Sequence, residues 1–505
     1  MSNLLIAPSS AGGRTVNVRD TAKQAACYLA TTGDIFRKGC TLLRLIDGQL
    51  APLSSSAVHT LIFDRMRVMR WTTVNGQPQL VPATDLKESI LRAIRESHFI
   101  AQFIPEVTVV APQPYLVLQG GQLAMLTKGY NKAGGGVLVT GGTIPPEVPI
   151  VEAVQSILDL LTDFQFATPS DKARAVAAVF SAAMHLARIY ERNPLLVFEA
   201  DQSQTGKTLL FNIIVAMFGQ RCGVVAQKQG GVGSRDESIM QRLVQGFPFV
   251  LLDNARGAID SPFLEACLTP EGGFIEARIL RETVPVDPRP VIFGMTSNAA
   301  QMTKDLANRS LLTRLRKQSP DYQFKPRNDT DGHEVGIRRH VECQHAYYQG
   351  CVNAVVLDWW KNGAQRQPCT EHDFREAMGS LDYLVQHYFK LPPLLDGHQI
   401  AMERTTKPGL SWLRQIALLA AQQWHVVDWK AAKIADRCIQ EGIAIPGVDN
   451  GAEPKTAAQA VGIAMAGAFG SEDIIVIDGV EIRRAIENDK DSRPNKIYTF
   501  TKVAS

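Results

Sequence analysis

The sequence predicts an α/β protein: a parallel sheet between helices, with an α+β region before it and a small helical unit ending in a β-hairpin after it. Three observations carry this. Wholly apolar runs at residues 195–198 (LLVF), 249–252 (FVLL) and 291–293 (VIF), with a weaker fourth at 311–315, alternate with helical stretches. Strands covered by helices on both faces read this way. Residues 150–190 and 333–361 carry long helical patterns, the second expected as a single helix. From residue 409 onward the order is helix, helix, helix and a two-stranded turn.

Residues 1–149 mix short alternating segments with helical ones. Apolar spacing over 88–99 (ESILRAIRESHF) predicts a helix, and 115–118 and 136–140 predict strands. Glycine clusters at Gly120-Gly121, Gly134-Gly135-Gly136 and Gly141-Gly142 mark turns. The prolines of 143–149 (TIPPEVP) mark a linker, since proline blocks helix and sheet ladders alike. A chain of 505 residues exceeds one core, and length suggests about three domains. The expected segments are an α+β domain at 1–149, the parallel-sheet core with its preceding helices at 150–325, a helical lid at 326–400 and a C-terminal domain at 401–505.

Hydrophobic residues at 45% and charged residues at 20% describe an ordinary globular chain. A net charge of +3 is too mild for a protein that binds nucleic acid by charge alone, so any basic surface must be local. No apolar run approaches the roughly 20 residues of a membrane span. The first residues lack the basic flank and apolar stretch of a secretory signal. The eight cysteines form no CxxC pair, as suits reduced thiols. A soluble cytoplasmic protein is the expectation.

The chemistry begins where the run at 195–198 meets EADQSQTGKT, residues 199–208, with a helical stretch over 209–218 behind it. In a phosphate-binding loop, backbone N–H groups at a helix N-terminus wrap the phosphates, the lysine meets the β/γ oxygens and the hydroxyl ligates Mg2+. Gln204, Thr205, Gly206, Lys207 and Thr208 are therefore the candidates for ATP, and Thr208 also for the metal. Asp201 stands where the motif has its first glycine, adding a charge and a Cβ. A chance GKT at a strand-to-helix turn reads the same.

The second signal is the apolar strand ending in Asp253-Asn254, 46 residues after Lys207. Such an aspartate supports Mg2+ in P-loop enzymes, and the spacing suits a strand next but one to the loop strand. An Asp-Asn turn at a strand end is the plainer alternative. Asn254 occupies the place where a glutamate would polarise the attacking water; an amide orients a water but cannot take its proton. The third signal is Thr296-Ser297-Asn298 at the end of another strand, from which Asn298 can reach the γ-phosphate. Turn formation explains it equally well. The fourth is Arg309, placed to reach the nucleotide of a neighbouring subunit or else a solvated surface arginine. Each signal is ordinary alone; their order is not.

With these motifs the chain resembles the superfamily 3-like AAA+ helicases of phages, plasmids and integrative elements, including the helicase parts of phage primase-helicases and the self-loading helicases of staphylococcal cassette elements. The resemblance is carried by Gly246-Phe247-Pro248 through Leu252-Asp253-Asn254, then Ile259-Asp260-Ser261-Pro262-Phe263-Leu264-Glu265, Leu268-Thr269 and Arg278-Ile279-Leu280. Thr296-Ser297-Asn298 and Asp305-Leu306-Ala307-Asn308-Arg309 continue it. It covers about residues 150–390 and more faintly 114–139, where Gly129-Tyr130 is similar to a motif of the family's N-terminal region. It implies an AAA+ P-loop NTPase core in which Lys207 and Thr208 bind ATP and Mg2+, Asp253 supports the metal, Asn298 senses the γ-phosphate and Arg309 acts in trans. It also implies a hexamer that threads DNA. Asp-Asn at the strand end is frequent in the family; Asp201 departs from it. Residues 1–150 show no carboxylate set of a primase, so a helicase without priming activity is expected.

In the C-terminal segment, helices are expected over 432–441 and 457–469, then strands at 474–477 and 479–484, a polar tip at 487–495 and a strand at 496–500. That is the order of a winged helix. Its wing would present Arg483, Arg484, Arg493 and Lys496 to DNA phosphates. Yet residues 401–505 hold as many acidic as basic side chains, and 457–469 is nearly devoid of polar ones. That helix reads as core, and the wing touches either DNA or a neighbouring subunit.

Other signals are set aside. His340, Cys343, His345 and Cys351 lack the spacing of a zinc finger, and Cys343 and His345 would not share a helix face. Trp359-Trp360 and Tyr347-Tyr348 are expected to pack the lid, and Gly230-Gly231-Val232-Gly233 to form a loop. The expected function is ATP-driven DNA unwinding by a hexamer, starting replication of a phage, satellite or mobile element. Its partners would be single-stranded or forked DNA, a duplex origin, and a separate primase or other replication proteins. The alternatives are a protein that binds nucleotide only to assemble, and one that uses ATP to remodel a protein partner.

Overall fold

The computed structural model describes residues 3–502 apart from 201–203, 226–233, 257, 280–281, 299–300, 407, 424–425, 444, 447, 449–453, 470–471, 478–479 and 489–493. The chain forms two compact units. One comprises residues 1–255, 261–298 and 309–395, the other 256–260, 299–308 and 396–505. Among the described residues no helix is long and apolar enough to cross a membrane.

The centre of the first unit is a six-stranded sheet. In chain order its strands are β1 (Gln165–Phe166), β2 (Leu195–Glu199), β3 (Cys222–Val225), β4 (Phe249–Ala255), β5 (Ile292–Ser297) and β6 (Ser310–Arg316), arranged β1-β6-β2-β5-β4-β3. Every neighbouring pair is parallel except β1 with β6. Helices α1 (Ile150–Leu160) and α2 (Pro169–Leu186) precede β2; α3 (Lys207–Met217) joins β2 to β3, and α4 (Arg235–Gln245) joins β3 to β4. Parallel neighbours need such crossovers. The apolar runs are buried as their composition requires: every residue of β2 and β5 is buried.

Helix α3 packs on the sheet through aromatic rings. Phe211 meets Phe198 and Phe249 edge-on, with both pairs of ring centroids 6.2 Å apart. The ring fits because β5 carries a glycine opposite it; a Cβ on Gly294 would lie 2.1 Å from Phe211 Cε2. Helix α5 (Pro262–Leu268) lies between β4 and β5 in chain order, and after β6 come α6 (Ile337–Cys343), α7 (His345–Lys361) and α8 (Arg375–His387). The single helix expected over 333–361 is instead two. Gln344 leaves helical geometry at φ −108° and ψ 22°. His340 is drawn away, its Nδ1 to the Asn328 carbonyl at 2.6 Å and its Nε2 to the Tyr348 hydroxyl at 2.7 Å. Trp359 is buried in α7, its indole N–H donating to the Gln365 carbonyl.

The helix expected over 88–99 is also two, Glu88–Arg95 and His98–Phe103, because Ser97 adopts an extended conformation (φ −69°, ψ 143°). Leu29, Val58, Ile62 and Ile94 centre a separate apolar core in this N-terminal part. A following sheet of Val109–Ala111, Gly129–Asn131 and Val137–Val139 is bonded onto the core, with Val110 N–H donating to the Gly246 carbonyl. Lys38 is wholly buried at the same place. Its ammonium donates to the carbonyls of Thr108 (2.9 Å) and Leu243 (2.5 Å), in the last turn of α4. Burial pushes its pKa down to about 7, against the opposing pull of Asp287 and Glu106.

In the second unit, helices His398–Thr406, Pro408–Gln423, Ala431–Gln440 and Pro454–Phe469 accompany an antiparallel sheet. Its strands run in the order Val426–Lys430, Pro494–Lys502, Val480–Asn488, Ile474–Ile477. The expected two-stranded turn is thus part of a four-stranded sheet, whose first strand lies between two helices. Ala457, Val461, Met465 and Phe469 recur every fourth residue and are buried with Trp412, Ile434 and Phe500, one face of a helix.

Candidate functional site

The motif residues meet where β2, β4 and β5 end. Strand β2 runs into the loop, and α3 starts at Gly206, whose φ of 86° is a left-handed conformation natural to glycine. A Cβ here would also meet the Phe164 ring at 3.0 Å. Two residues earlier Gln204 has φ 60° without being glycine, the kind of constrained backbone found where a loop must hold a shape. Among the described residues no side chain caps α3, and its first N–H groups form the positive end of the helix dipole. Asp201 lies outside the described residues.

Lys207 is 8% exposed. Its ammonium donates to Asn298 Oδ1 at 2.6 Å and to Thr205 Oγ1 at 3.1 Å. Thr208 Oγ1 donates to Asp253 Oδ1 at 2.8 Å. Lysine and threonine from one helix start are thereby paired by direct hydrogen bonds with asparagine and aspartate from two strand ends. Strand β5 lies between β2 and β4, so the aspartate strand is next but one to the loop strand.

A β-bulge aims the acid. Leu252 pairs with Met295 and Ala255 with Ser297, so Asp253 and Asn254 together oppose the single residue Thr296. Asn254 takes the extra residue's strain at φ 53°. Thr296, 1% exposed, ties the bulge together: its hydroxyl donates to Asp253 Oδ1 at 2.6 Å and accepts from the Asn254 N–H at 2.8 Å. The sequence marks Thr296 only as part of the Thr296-Ser297-Asn298 strand end and does not show its bonds to Asp253 and Asn254. Glu199 is a second residue that the motifs do not single out: a buried carboxylate at the end of β2, in register with Ser297 and Arg314.

Arg309 lies elsewhere. Its carbonyl accepts from the Leu195 N–H at the start of β2, so it sits at the opposite end of the sheet from Lys207. The five residues of β2 separate the two ends by about 16 Å at roughly 3.3 Å per residue. Its guanidinium lies 4.0 Å from Glu265 and 4.0 Å from Asp373.

In the other unit, Arg483 and Lys496 are exposed on the long hairpin, Arg483 paired with Glu481 at 3.1 Å. Arg484 is committed differently. It donates twice to Asp473, at 3.0 and 2.9 Å, and its guanidinium covers the Phe469 ring at 5.2 Å. Arg493 and the glycine-rich segment 230–233 lie outside the described residues.

Chemically, the cluster at the head of α3 offers a cation, the N-terminal end of a helix and two oxygen groups within hydrogen-bond distance of each other. That set matches a nucleoside triphosphate with Mg2+, a hard cation that takes carboxylate and hydroxyl oxygens.

No protein-family model matches the chain, and no curated protein matches it. Among solved structures, the C-terminal region of NrS-1 is similar over 95% of this chain and 98% of its own, at 11% identity and a TM-score of 0.41. The active helicase Cch of SCCmec type IV is similar over 90% of this chain and 89% of its own, at 9% identity and a TM-score of 0.33. A putative ATPase from Cytophaga hutchinsonii covers 34% of this chain and 53% of its own, at 13% identity and a TM-score of 0.22. Likeness of this degree carries no residue-by-residue correspondence.

Proposed function

We propose that the chain is an ATP hydrolase of the AAA+ type, a superfamily 3-like helicase that works as a hexamer and unwinds DNA to start replication of a phage or mobile element. The observation that carries the reading is the pair of hydrogen bonds joining Lys207 to Asn298 and Thr208 to Asp253 at the head of α3. Bound there, Mg2+–ATP supplies a γ-phosphorus open to attack by water, its charge offset by the metal.

The protein's residues then have separable tasks. Lys207 exchanges Asn298 for phosphate oxygen, and the N–H groups of the first turn of α3 hold the phosphates. Thr208 and Asp253 hold the metal and its water shell. Asn298, released from Lys207, faces the γ-phosphate side and orients the attacking water together with Asn254. Arg309 is too far along the sheet to serve its own site, so it serves a neighbour's.

By the same reading, residues 150–325 form the ATPase core and 326–400 its helical lid, while 1–149 carry no priming site. Residues 401–505 form a winged helix whose Arg483, Arg493 and Lys496 meet the phosphates of single-stranded, forked or origin DNA, while Arg484, expected to do the same, is held by Asp473. The helix–strand–helix–helix–hairpin order supports this. A separate primase would be the partner.

Unwinding of a forked duplex with ATP, with Lys207→Ala as control, tests the reading. Wild type should unwind and the variant should not; equal failure of both discards the helicase. A second reading, nucleotide binding that supports assembly without turnover, is favoured by Asn254 standing where a proton acceptor is expected. Tight nucleotide binding with no phosphate release would select it.

A further inference from the structure

Arg309 is gripped from two sides. Glu265 comes from α5, and Asp373 from the segment just before α8. The nearest approaches, 4.0 Å for each carboxylate, are close enough for attraction and too long for a hydrogen bond. Among the described residues, buried Arg309 Nε has no hydrogen-bond partner, although a buried guanidinium nitrogen ordinarily finds an acceptor.

The backbone around it is fixed by contrast. The Arg309 carbonyl is held by Leu195 N–H, and the neighbouring Ser310 carbonyl contacts buried His372 Nε2 at 3.2 Å. His372 Nδ1 in turn accepts from the Phe374 N–H at 3.0 Å, which sets the position of Asp373 between them. A rigid backbone thus presents a cation whose side chain is balanced by charge and left short of hydrogen bonds.

We propose that Glu265 and Asp373 are positioning residues for Arg309. They hold its guanidinium extended at the protomer's edge, in a state that a neighbouring subunit's triphosphate can claim by offering the hydrogen bonds that the carboxylates do not. The inference rests on the reading of Arg309 as a group acting in trans. It adds to that reading which residues aim the arginine and why it does not fold back into a locked ion pair.

The test uses the full chain under conditions of assembly and measures ATP turnover in mixtures. Asp373→Asn and Glu265→Gln should each lower kcat about tenfold, a part of the 10³–10⁵ that such an arginine is worth, with KM for ATP within about twofold. Asp373→Glu keeps the charge and should recover most of the loss. Mixing either neutral variant with Lys207→Ala should restore turnover well above that of each alone, because one partner supplies an intact site and the other an intact arginine. Mixing it with Arg309→Ala should restore nothing.

Three results overturn the proposal. Asp373→Asn and Glu265→Gln could both turn over like wild type. They could be impaired yet fail to complement Lys207→Ala while Arg309→Ala complements it, which places the defect in their own site or in folding. Or Arg309→Ala and Lys207→Ala could fail to complement each other although Lys207→Ala alone abolishes activity, in which case the trans role falls and the nucleotide site stands. Thermal melts of each variant separate the second result from simple unfolding.

Discussion

Thr296→Val puts the strongest demand on the site geometry. The change keeps the shape of the side chain and removes only the hydroxyl, which is why Thr and Val are not interchangeable in a buried place. Two bonds go with it: the donation to Asp253 Oδ1 at 2.6 Å and the acceptance from Asn254 N–H at 2.8 Å. Hydrogen bonds to charged groups are worth about 1.5–3 kcal/mol, and a stranded buried donor costs about 1–3 kcal/mol. Both figures belong at their lower ends here. Asp253 keeps the Thr208 hydroxyl, and Asn254 is exposed, so water can reach its N–H. A net loss of about 2 kcal/mol follows. If that orientation of Asp253 is what turnover uses, kcat falls by about 10–30-fold at 1.4 kcal/mol per decade. KM changes little, since the Lys207 contacts are untouched. Phosphate release at saturating ATP reads the effect, and Thr296→Ser should stay near wild type. A Thr296→Val protein with normal kcat and a lowered melting temperature would refute the argument, leaving the hydroxyl a purely structural group.

Three further expectations concern other parts of the chain. Gly294→Ala places a methyl 2.1 Å from the Phe211 ring, so it should cost about 1–3 kcal/mol of overpacking; an unchanged urea midpoint would contradict that packing. Lys38 has a native pKa near 7 against 10.5 when unfolded, so between those values the unfolded chain binds more protons and stability must rise with pH, by up to about 1.4 kcal/mol per unit. The rise is best read from pH 7 to about 8.5, below the range where buried thiols begin to act in the opposite sense, and Lys38→Met should flatten it; equal slopes in both proteins would count against a buried ammonium. For DNA binding, Arg483→Ala and Lys496→Ala should each weaken affinity on all sequences and reduce the salt slope by about 1, whereas Arg484→Ala should chiefly destabilise its sheet by freeing Asp473. An unaltered salt slope in both of the first two variants would remove the hairpin from the DNA interface.

The parallel core was legible because its strands are apolar on both faces, a pattern that a composition-level reading detects, and because Lys207, Asp253 and Asn298 fall at strand ends in a fixed order. What escaped the sequence was local and conformational. β3 is a four-residue edge strand beginning Cys-Gly, too short to announce itself. The bulge at Asp253-Asn254 depends on which residue of β5 stands opposite, a pairing no single strand reveals. The splits at Ser97 and Gln344 interrupt helical spacing that continues unbroken on either side, so periodicity alone runs through them. Val426–Lys430 was hidden by the helices around it, its partner lying some 70 residues away at a separation that local patterns do not reach. Thr296 shows the same limit at the site itself: its importance lies in what faces it.

The second unit is stitched to the first at a telling pair of places. Residues 256–260 leave directly after the Asp253-Asn254-Ala255 bulge, and residues 299–308 leave directly after Asn298 and return at Arg309. Both crossings therefore begin at the strand ends that carry Asp253 and Asn298. On the proposed function, a shift of Asn298 when Lys207 exchanges it for phosphate would pass to the second crossing through the backbone, with no relay of side chains.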